Sequence, residues 1–523
     1  MNSIPSSIIM SDFIKASDDL LAWFNAQAGA TWHSALRIVD LRARDAGRGI
    51  IATSDIPADT DLFTIPRSAI INEGTSELAI RLPHIFLSQH ETAESSAGVD
   101  AEIDEEINVD SPISWLNLIL VLMYELFHRQ TSRWAPYLEI LPQRPQSFHT
   151  LMFWSEDELA QLQGSAIRSK IGKDSADRMF RERILPIVKQ HTDVFYPSGL
   201  RQLNDEELIE KCHVIGSVIM SYAFDLQPEE DDEDEEGNED GWVEDHSKPT
   251  IMGMVPMADM LNADAEFNAH LSHGDESLTM TSLREIKAGE EVLNYYGPLP
   301  NAELLRRYGY TSTKHARHDV VEISWPHVRD VLKSLLIPRN GDIYDLAPLK
   351  QFESIITGLA DVPDLEDIAL DDGFILERES DDPTNEGVFT SQAKFTQFPE
   401  DVDQVVSTVI AKAISQQKGK QPTQQDLATE LKRRKLQAFE QIVAKRLEDY
   451  SGSVEDDEKL LADQDQNMPV RLYRALTVRV GEKRLLREAL NWVKQKQEKH
   501  AAESSKRKMT DSETKSKKRH RAV

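Results

Sequence analysis

Residues 253–264 read GMVPMADMLNAD, and residues 289–310 read GEEVLNYYGPLPNAELLRRYGY. The first is an apolar run closed by Asn262. The Asn262 amide can hydrogen-bond a cofactor or neighbouring backbone, and a buried structural or turn asparagine is the plainer alternative. The second begins with a predicted strand, EVLNYY, in which alternation sends the rings of Tyr295 and Tyr296 to opposite faces. Only one of them can then face a given pocket. Tyr308 lies further on in ELLRRYGY, at a predicted helix end. Each tyrosine alone reads as a core or hairpin residue; it is their joint occurrence with Asn262 that suggests a site.

Working outward, 523 residues exceed what one core usually organises, so two domains with tails are expected. A composition of 40% hydrophobic and 28% charged residues is that of an ordinary globular protein. A net charge of −31 argues against general nucleic-acid binding by the whole surface, because phosphate contacts need basic faces. It leaves either a basic partner or a solubility role. Cys212 is the single cysteine, which excludes an intramolecular disulfide and a cysteine-based zinc cluster and fits a reducing compartment. No basic segment precedes an apolar core at the N-terminus, so no secretory signal is expected. The most apolar stretch, Ile113 to Phe127, contains Asn117 and Glu125 and falls short of a membrane span of about 20 residues. With Ser111 as N-cap and Pro112 in the first turn, it reads as a buried helix.

Phe13, Leu20, Leu21 and Phe24 predict an amphipathic helix over 11–28. Between 36 and 72 the β-branched runs LRIVDL, GIIAT, DLFTIP and SAIIN predict a small meandering sheet. Residues 89–111 read as a polar loop, and helical patterns dominate 112–226, including Asn204–Phe224. The run EEDDEDEEGNED at 229–240 is either a disordered loop or a docking strip for a basic substrate. Strand-like segments return at 251–257 and 278–296. Beyond about 320 the chain reads mainly as helices, with amphipathic stretches at 424–449 and 467–497. The tail Lys506–Arg521 is basic, which fits nuclear import, or else a solubilising or nucleic-acid-brushing tail. No repeat of solenoid period is present.

Gly47-Arg48-Gly49-Ile50-Ile51-Ala52 matches the dinucleotide pattern G-x-G-x-x-A, which requires a helix after the glycines. Here IIATSDIP follows, so a strand is expected and the nucleotide reading fails. Two close glycines still allow a loop to pack its backbone against a ligand, and a tight turn between strands is the alternative.

Tyrosine hydroxyls and backbone carbonyls would be a suitable lining for methyl transfer to a lysine amine. That amine, with an unperturbed pKa of about 10.4, must lose its proton before it attacks. A dry channel and a nearby positive sulfonium both lower that value, so a dedicated base is unnecessary. What remains is to orient the lone pair and exclude water.

The stretches DAGRGIIA, SYAF, GMVPMADMLNAD, FNAHL, GEEVLNYYG and NAELLRRYGY resemble, in order and spacing, the SET-domain methyltransferases of the Rubisco large-subunit type. The segment RLYRALTVRVGEKRLLREAL resembles the helical substrate-binding domain that follows SET in that group, and ADMLNAD with NAELLRRYGY is most similar to the fungal ribosomal lysine methyltransferases. The resemblance implies an α+β fold, with a SET domain of short β-sheets and a helical insertion, followed by an all-α substrate-binding domain. The implied layout is an N-terminal helix over 1–30, SET over 31–312 with its insertion at about 75–215 and an acidic loop at 227–248. The helical domain then covers 320–497, and a basic disordered tail 498–523. Many histone-directed SET enzymes carry cysteine-rich zinc modules, which one cysteine forbids.

The resemblance also implies S-adenosyl-L-methionine as cofactor and no metal. Ala46, Gly47, Arg48 and Gly49 would contact it by backbone, with Ser221, Asn262, Ala263 and Tyr308 nearby. Tyr296 would orient the amine, and Phe224, Tyr296 and Tyr308 would line the lysine pocket. Most SET domains have Asn-His where this chain has Asn262-Ala263, so either the histidine's backbone does most of that work or cofactor affinity suffers here. The expected partner is a basic protein, a large-subunit ribosomal protein, steered by the acidic surface. Membrane association and sequence-specific nucleic-acid binding are not expected, and a nuclear monomer is, with the cytoplasm as a second compartment. Two alternatives stay open: a methyltransferase acting on histones or another nuclear protein, and a non-catalytic SET-like scaffold that binds peptides.

Overall fold

The β-branched runs form short antiparallel strands. In the computed structural model, β1 (Thr31–Trp32), β4 (Asp61–Pro66), β8 (Ser277–Ser282) and β7 (Ala269–His273) make one sheet in that order. The described residues are 6–44, 46–86, 111–226, 251–337, 347–359, 373–416, 424–463 and 468–520, with a few positions between 362 and 370. Register places Thr64 opposite Thr31 and Thr279, and Met280 opposite Phe63 and Leu271. Along β8 every second residue, Leu278, Met280 and Ser282, is buried, as the pleat requires. Two further pairs flank this sheet: β2 (Leu36–Asp40) with β3 (Arg48–Ala52), and β5 (Ala223–Leu226) with β6 (Ile251–Met254).

Several local expectations change. SAIIN is not a strand. Pro66 ends β4, Arg67–Ala69 turns as a 3-10 helix, and Ile71 meets Met254 through one bridge. The helix expected over Asn204–Phe224 starts at an Asn204–Glu207 capping box but stops at Tyr222, because Ala223 and Phe224 pair with Met254 and Gly253 in β5–β6. The segment 251–257 leaves β6 after Met254; Pro256 has no N–H for a ladder, and Met257 takes φ +79°. The expected strand EVLNYY, residues 291–296, is reduced to single bridges, Glu291 to Ile51 and Asn294 to Ala263. That segment passes between two partners instead of running along one. The expected loop 89–110 and the acidic run 229–240 lie outside the described residues.

Between β4 and β5 the described residues are mainly helical. The Ser111–Phe127 helix is buried along most of its length, and its polar residues are paired. Asn117 donates to Glu73 at 2.6 Å, and Glu125 accepts from Ser76 at 2.8 Å and Ser132 at 2.6 Å. Such pairing is what makes a buried carboxylate tolerable. Among the described residues no helix is long and apolar enough to cross a membrane. Cys212 is buried on the Asp205–Tyr222 helix, and burial pushes its thiol up to about 12.

A second core follows. Helices Trp325–Leu336, Ala347–Thr357, Glu400–Ser415, Gln424–Leu447 and Val470–His520 pack around Val405, Val409, Ile410, Phe439, Ile442, Leu485 and Leu486. Phe398 stacks on Phe439 with centroids 4.0 Å apart. The domain also holds a two-stranded pair, β9 (Val321–Ile323) with β10 (Phe374–Leu376). The tail expected to be disordered from 498 instead continues the last helix to His520. It contains neither Gly nor Pro over 498–520 and is rich in Ala, Glu, Lys and Arg, which favour helix.

The two cores meet at a small apolar seam. Leu151, Trp154, Leu162 and Ile167 of the insertion pack with Leu305 and with Ala475 and Val478 of the final helix. Arg471 donates to the carbonyls of Phe148 and Phe153 and pairs with Glu158 at 2.8 Å. The seam thus braces the Asn301–Arg307 helix, which delivers Tyr308.

Candidate active site

Three chain segments converge. The first is the turn into β3, closed by the Leu41 N–H donating to the Gly47 carbonyl at 2.7 Å. Gly47 has φ +68° and open space where a Cβ would stand, so the side of this turn is accessible to a ligand. Gly49 has the opposite environment, crowded by Leu41, Glu291 and Asn262. Arg48 between them lays its guanidinium over the Phe13 ring, 4.0 Å from the centroid, and donates to Ser17 at 3.1 Å. The N-terminal helix therefore covers this turn, and burial lowers the Arg48 pKa.

The second segment, 258–264, is held by its backbone and by Asn262. The Asn262 amide donates to the Arg48 carbonyl at 3.2 Å and to Glu291 at 2.7 Å. Burial raises the Glu291 pKa, and the Asn262 bond opposes that rise. The Asn294 N–H donates to the Asn262 carbonyl at 2.9 Å. Two neighbouring carbonyls accept from tyrosines: Leu261 from the Tyr296 hydroxyl at 2.9 Å, and Ala263 from the Tyr310 hydroxyl at 3.1 Å.

The third segment is 294–310. Tyr296 stacks on Tyr308 with centroids 4.5 Å apart and planes 22° apart. Tyr295 stacks instead on Phe267 at 4.6 Å, so the two adjacent rings have separate partners, as alternation predicts. Ser221, at the end of the Asp205–Tyr222 helix, donates to the Arg307 carbonyl at 2.8 Å, beside Tyr308. Burial, then the neighbouring phenols of Tyr310, Tyr308 and Tyr222, raise the Tyr296 pKa well above the usual tyrosine range. Its hydroxyl stays a proton donor to Leu261 and keeps its lone pairs for another partner.

The structure thus joins Arg48 and the Gly49 strand to Asn262, Tyr296 to Tyr308, and Ser221 to the turn before Tyr308. Ala46 sits in the Leu41-capped turn. Phe224 is half-buried on β5 opposite Gly253. Reading the sequence missed Glu291, Tyr310, Asp259 and Tyr137. Tyr310 carried a signal in the YGY that closes the second motif. Tyr137 carried none, since it reaches Asp259 from 122 residues away to make a short hydrogen bond. Among the described residues no three His, Cys, Asp or Glu side chains converge to hold a metal. A cleft of about 1220 Å³ lies between the insertion and the helical domain, and none of these tyrosines lines it. A smaller one of about 420 Å³ adjoins Tyr295.

A SET-domain family profile matches residues 47–297, and a Rubisco LSMT substrate-binding profile matches residues 400–486. Ribosomal lysine N-methyltransferase 4 of Saccharomyces cerevisiae is 32% identical over 329 residues, covering 62% of this chain and 61% of that protein. N-lysine methyltransferase setd6 of Danio rerio is 33% identical over 268 residues, covering 50% of each. The chain therefore matches between 50% and 61% of the length of these two relatives. The SET domain of LSMT bound to lysine and AdoHcy superposes with a TM-score of 0.56 at 18% identity, covering 93% of this chain and 92% of that one. Rubisco LSMT bound to AdoMet gives 0.54 at 17% identity, with 93% of each covered. At such identities the likeness concerns the fold. Both profiles are matched in order, so the chain carries a SET domain followed by a Rubisco LSMT substrate-binding domain.

Proposed function

We propose that this protein is an S-adenosyl-L-methionine-dependent protein-lysine N-methyltransferase, and that its substrate is a basic large-subunit ribosomal protein. The observation that carries the reading is the Tyr296 hydroxyl, fixed on the Leu261 carbonyl at 2.9 Å beneath the Tyr308 ring. A hydroxyl so fixed, its proton given to Leu261, can accept from an amine N–H at no further cost in orientation. The open face of the Gly47 turn, with Arg48 and Asn262 beside it, fits a cofactor approached by backbone. When bound there, S-adenosylmethionine supplies an electrophilic methyl on a positive sulfonium. This chain's residues do the rest. Tyr296 orients the amine lone pair, the Tyr308 ring walls the channel against water, and Ser221 and Arg307 hold the Tyr308 turn. Burial of the Tyr296 phenol keeps it protonated, so it does not compete as a nucleophile.

Ala263, where the family usually has histidine, is used through its backbone: it bridges to Asn294 and accepts from Tyr310. This supports an active enzyme over the scaffold reading. The basic substrate is supported by the similarity to the yeast ribosomal enzyme and by the cleft beside Tyr295, lined by Glu377, Glu379, Asp381 and Asp382. We read the tail 506–521 as a nuclear import signal and the active form as a monomer. That tail is also the feature that favours a histone or another nuclear protein as the alternative substrate.

Labelled S-adenosylmethionine offered with purified ribosomal subunits or histones tests this reading, with Tyr296→Phe alongside. Label in a large-subunit protein is expected, and Tyr296→Phe should lower the rate about tenfold or more, the worth of a hydrogen bond of about 1.5–3 kcal/mol. Label in histones alone would shift the substrate. No label and no cofactor binding would sink the enzyme.

A further inference from the structure

We propose that Asp259, gripped by Tyr137, is a positioning residue for this transfer: their hydrogen bond fixes the Met257–Leu261 turn, and with it the carbonyl on which the Tyr296 hydroxyl rests. The inference rests on the lysine methyl-transfer reading and adds to it a role for the helical insertion.

Asp259 is only 7% exposed. One carboxyl oxygen accepts from the Tyr137 hydroxyl; the other is buried without a well-formed hydrogen bond among the described residues, with the backbone N–H groups of Met257 and Asp259 near the carboxyl. A buried carboxyl that is half satisfied destabilises a fold, and an apolar residue would pack there at less cost. Two residues earlier, Met257 holds φ +79° although it is not glycine and is wholly buried. Two costly features therefore fall within one short stretch, and that stretch ends at Leu261, whose carbonyl accepts from Tyr296. Unfavourable local structure of this kind collects where surrounding contacts hold a functional group in place.

What holds it is Tyr137, on the short helix Ala135–Ile140, itself 0% exposed. The next turns of the site are backed by Asn262, on Arg48 and Glu291. Asp259 and Asn262 therefore tie the two ends of one turn to opposite walls, the insertion and the β3 loop, and Leu261 lies between them. The other polar groups near Asp259 are the phenols of Tyr222 and Tyr296, with the Arg48 guanidinium beyond Tyr222. Burial pushes Asp259 up to about 7 and Tyr222 to about 12, and raises Tyr137 well above the usual tyrosine range, so around neutral pH Tyr137 remains the donor to this carboxyl.

The test uses the full chain, labelled S-adenosylmethionine and ribosomal subunits, and compares Tyr137→Phe, Asp259→Asn and Asp259→Ala with the parent. Tyr137→Phe keeps the packing and removes the donor. It should lower kcat about tenfold, the order expected for one lost hydrogen bond. KM for both substrates and equilibrium binding of S-adenosylmethionine should stay within about twofold. Asp259→Asn, which still offers an oxygen to Tyr137, should retain more of the rate than Asp259→Ala. Because the effect runs through Tyr296, adding Tyr137→Phe to Tyr296→Phe should cost little more than Tyr296→Phe alone. Full kcat in Tyr137→Phe, or a loss that is fully additive with Tyr296→Phe, would overturn the proposal. So would a fall in kcat matched by lost cofactor binding or a lower melting temperature. If Asp259→Ala does not fold, Tyr137→Phe and the double variant still decide. A parent protein that transfers no methyl to any acceptor would instead sink the underlying enzyme reading, so the two failures are distinct.

Discussion

The Asn262 amide donates to Glu291 at 2.7 Å directly across the backbone of Gly49. A Cβ at Gly49 would stand 2.5 Å from a Leu41 methyl, 2.8 Å from that Glu291 oxygen and 3.0 Å from the Asn262 nitrogen. The glycine is there because two polar side chains must meet over it. Gly49→Ala should push them apart, leaving a half-buried carboxylate without its donor. Overpacking of this kind costs about 1–3 kcal/mol. The expected outcome is a melting temperature lower by several degrees and S-adenosylmethionine binding weakened several-fold, read by calorimetry. A variant that binds as the parent does would show that the Asn262–Glu291 contact is not part of the cofactor site.

Tyr308 acts on Tyr296 through ring contact at 4.5 Å. Stacking of this kind is worth about 0.5–1.5 kcal/mol beyond simple burial. Tyr308→Leu keeps the apolar wall and loses the stack, so the methyl-transfer rate should fall roughly two- to tenfold. Equal loss in Tyr308→Leu and Tyr308→Phe would place the effect in the hydroxyl and not in the ring.

Much of this site was legible because its parts lie close in the chain. Asn262, Tyr296 and Tyr308 sit in two motifs whose residue types already suggest donors, carbonyls and aromatic walls. The glycine pair was also readable, since β-branched residues after Gly49 decide strand over helix. What stayed hidden were contacts across long loops. Nothing local to Tyr137 announces that it will reach Asp259, and Glu291 looks like any acidic turn residue until Asn262 is placed on it. The misplaced elements have a common cause as well. Ala223–Phe224 and residues 291–296 have the right local pattern, but pairing with distant segments decides how far each element runs.

Ala263 provides a direct check on backbone against side chain. Its carbonyl accepts from Tyr310 at 3.1 Å and its backbone bridges Asn294, while its methyl only fills space. Ala263→Ser, which leaves both contacts intact, should keep cofactor binding and rate within about twofold. A large loss would mean that the side chain at this position is used after all.

The seam between the two cores should respond to pH in an unusual direction. Glu482 of the final helix is buried, accepts from Ser165 at 2.6 Å and Tyr450 at 2.8 Å, and is pushed up by burial to about 7. Asp319, whose second oxygen has no partner among the described residues, is pushed up to about 6. A carboxyl raised above its unfolded value, about 4, keeps its proton in the folded chain where the unfolded chain has released it. Its contribution to stability is therefore full below about pH 4 and is lost as pH rises through about 7. This is the reverse of an ion-paired carboxylate. Glu482→Gln removes the titration, and the hydroxyls of Ser165 and Tyr450 can rotate to serve the amide. Urea unfolding at about pH 5.5 and pH 8 should show the parent losing more stability than Glu482→Gln between the two. Other groups, including His318, which burial lowers to about 4, are common to both proteins and cancel in that difference. If the parent and Glu482→Gln lose equal stability, Glu482 keeps its charge in the folded protein, and the seam must hold an ionised carboxylate on two hydroxyls alone.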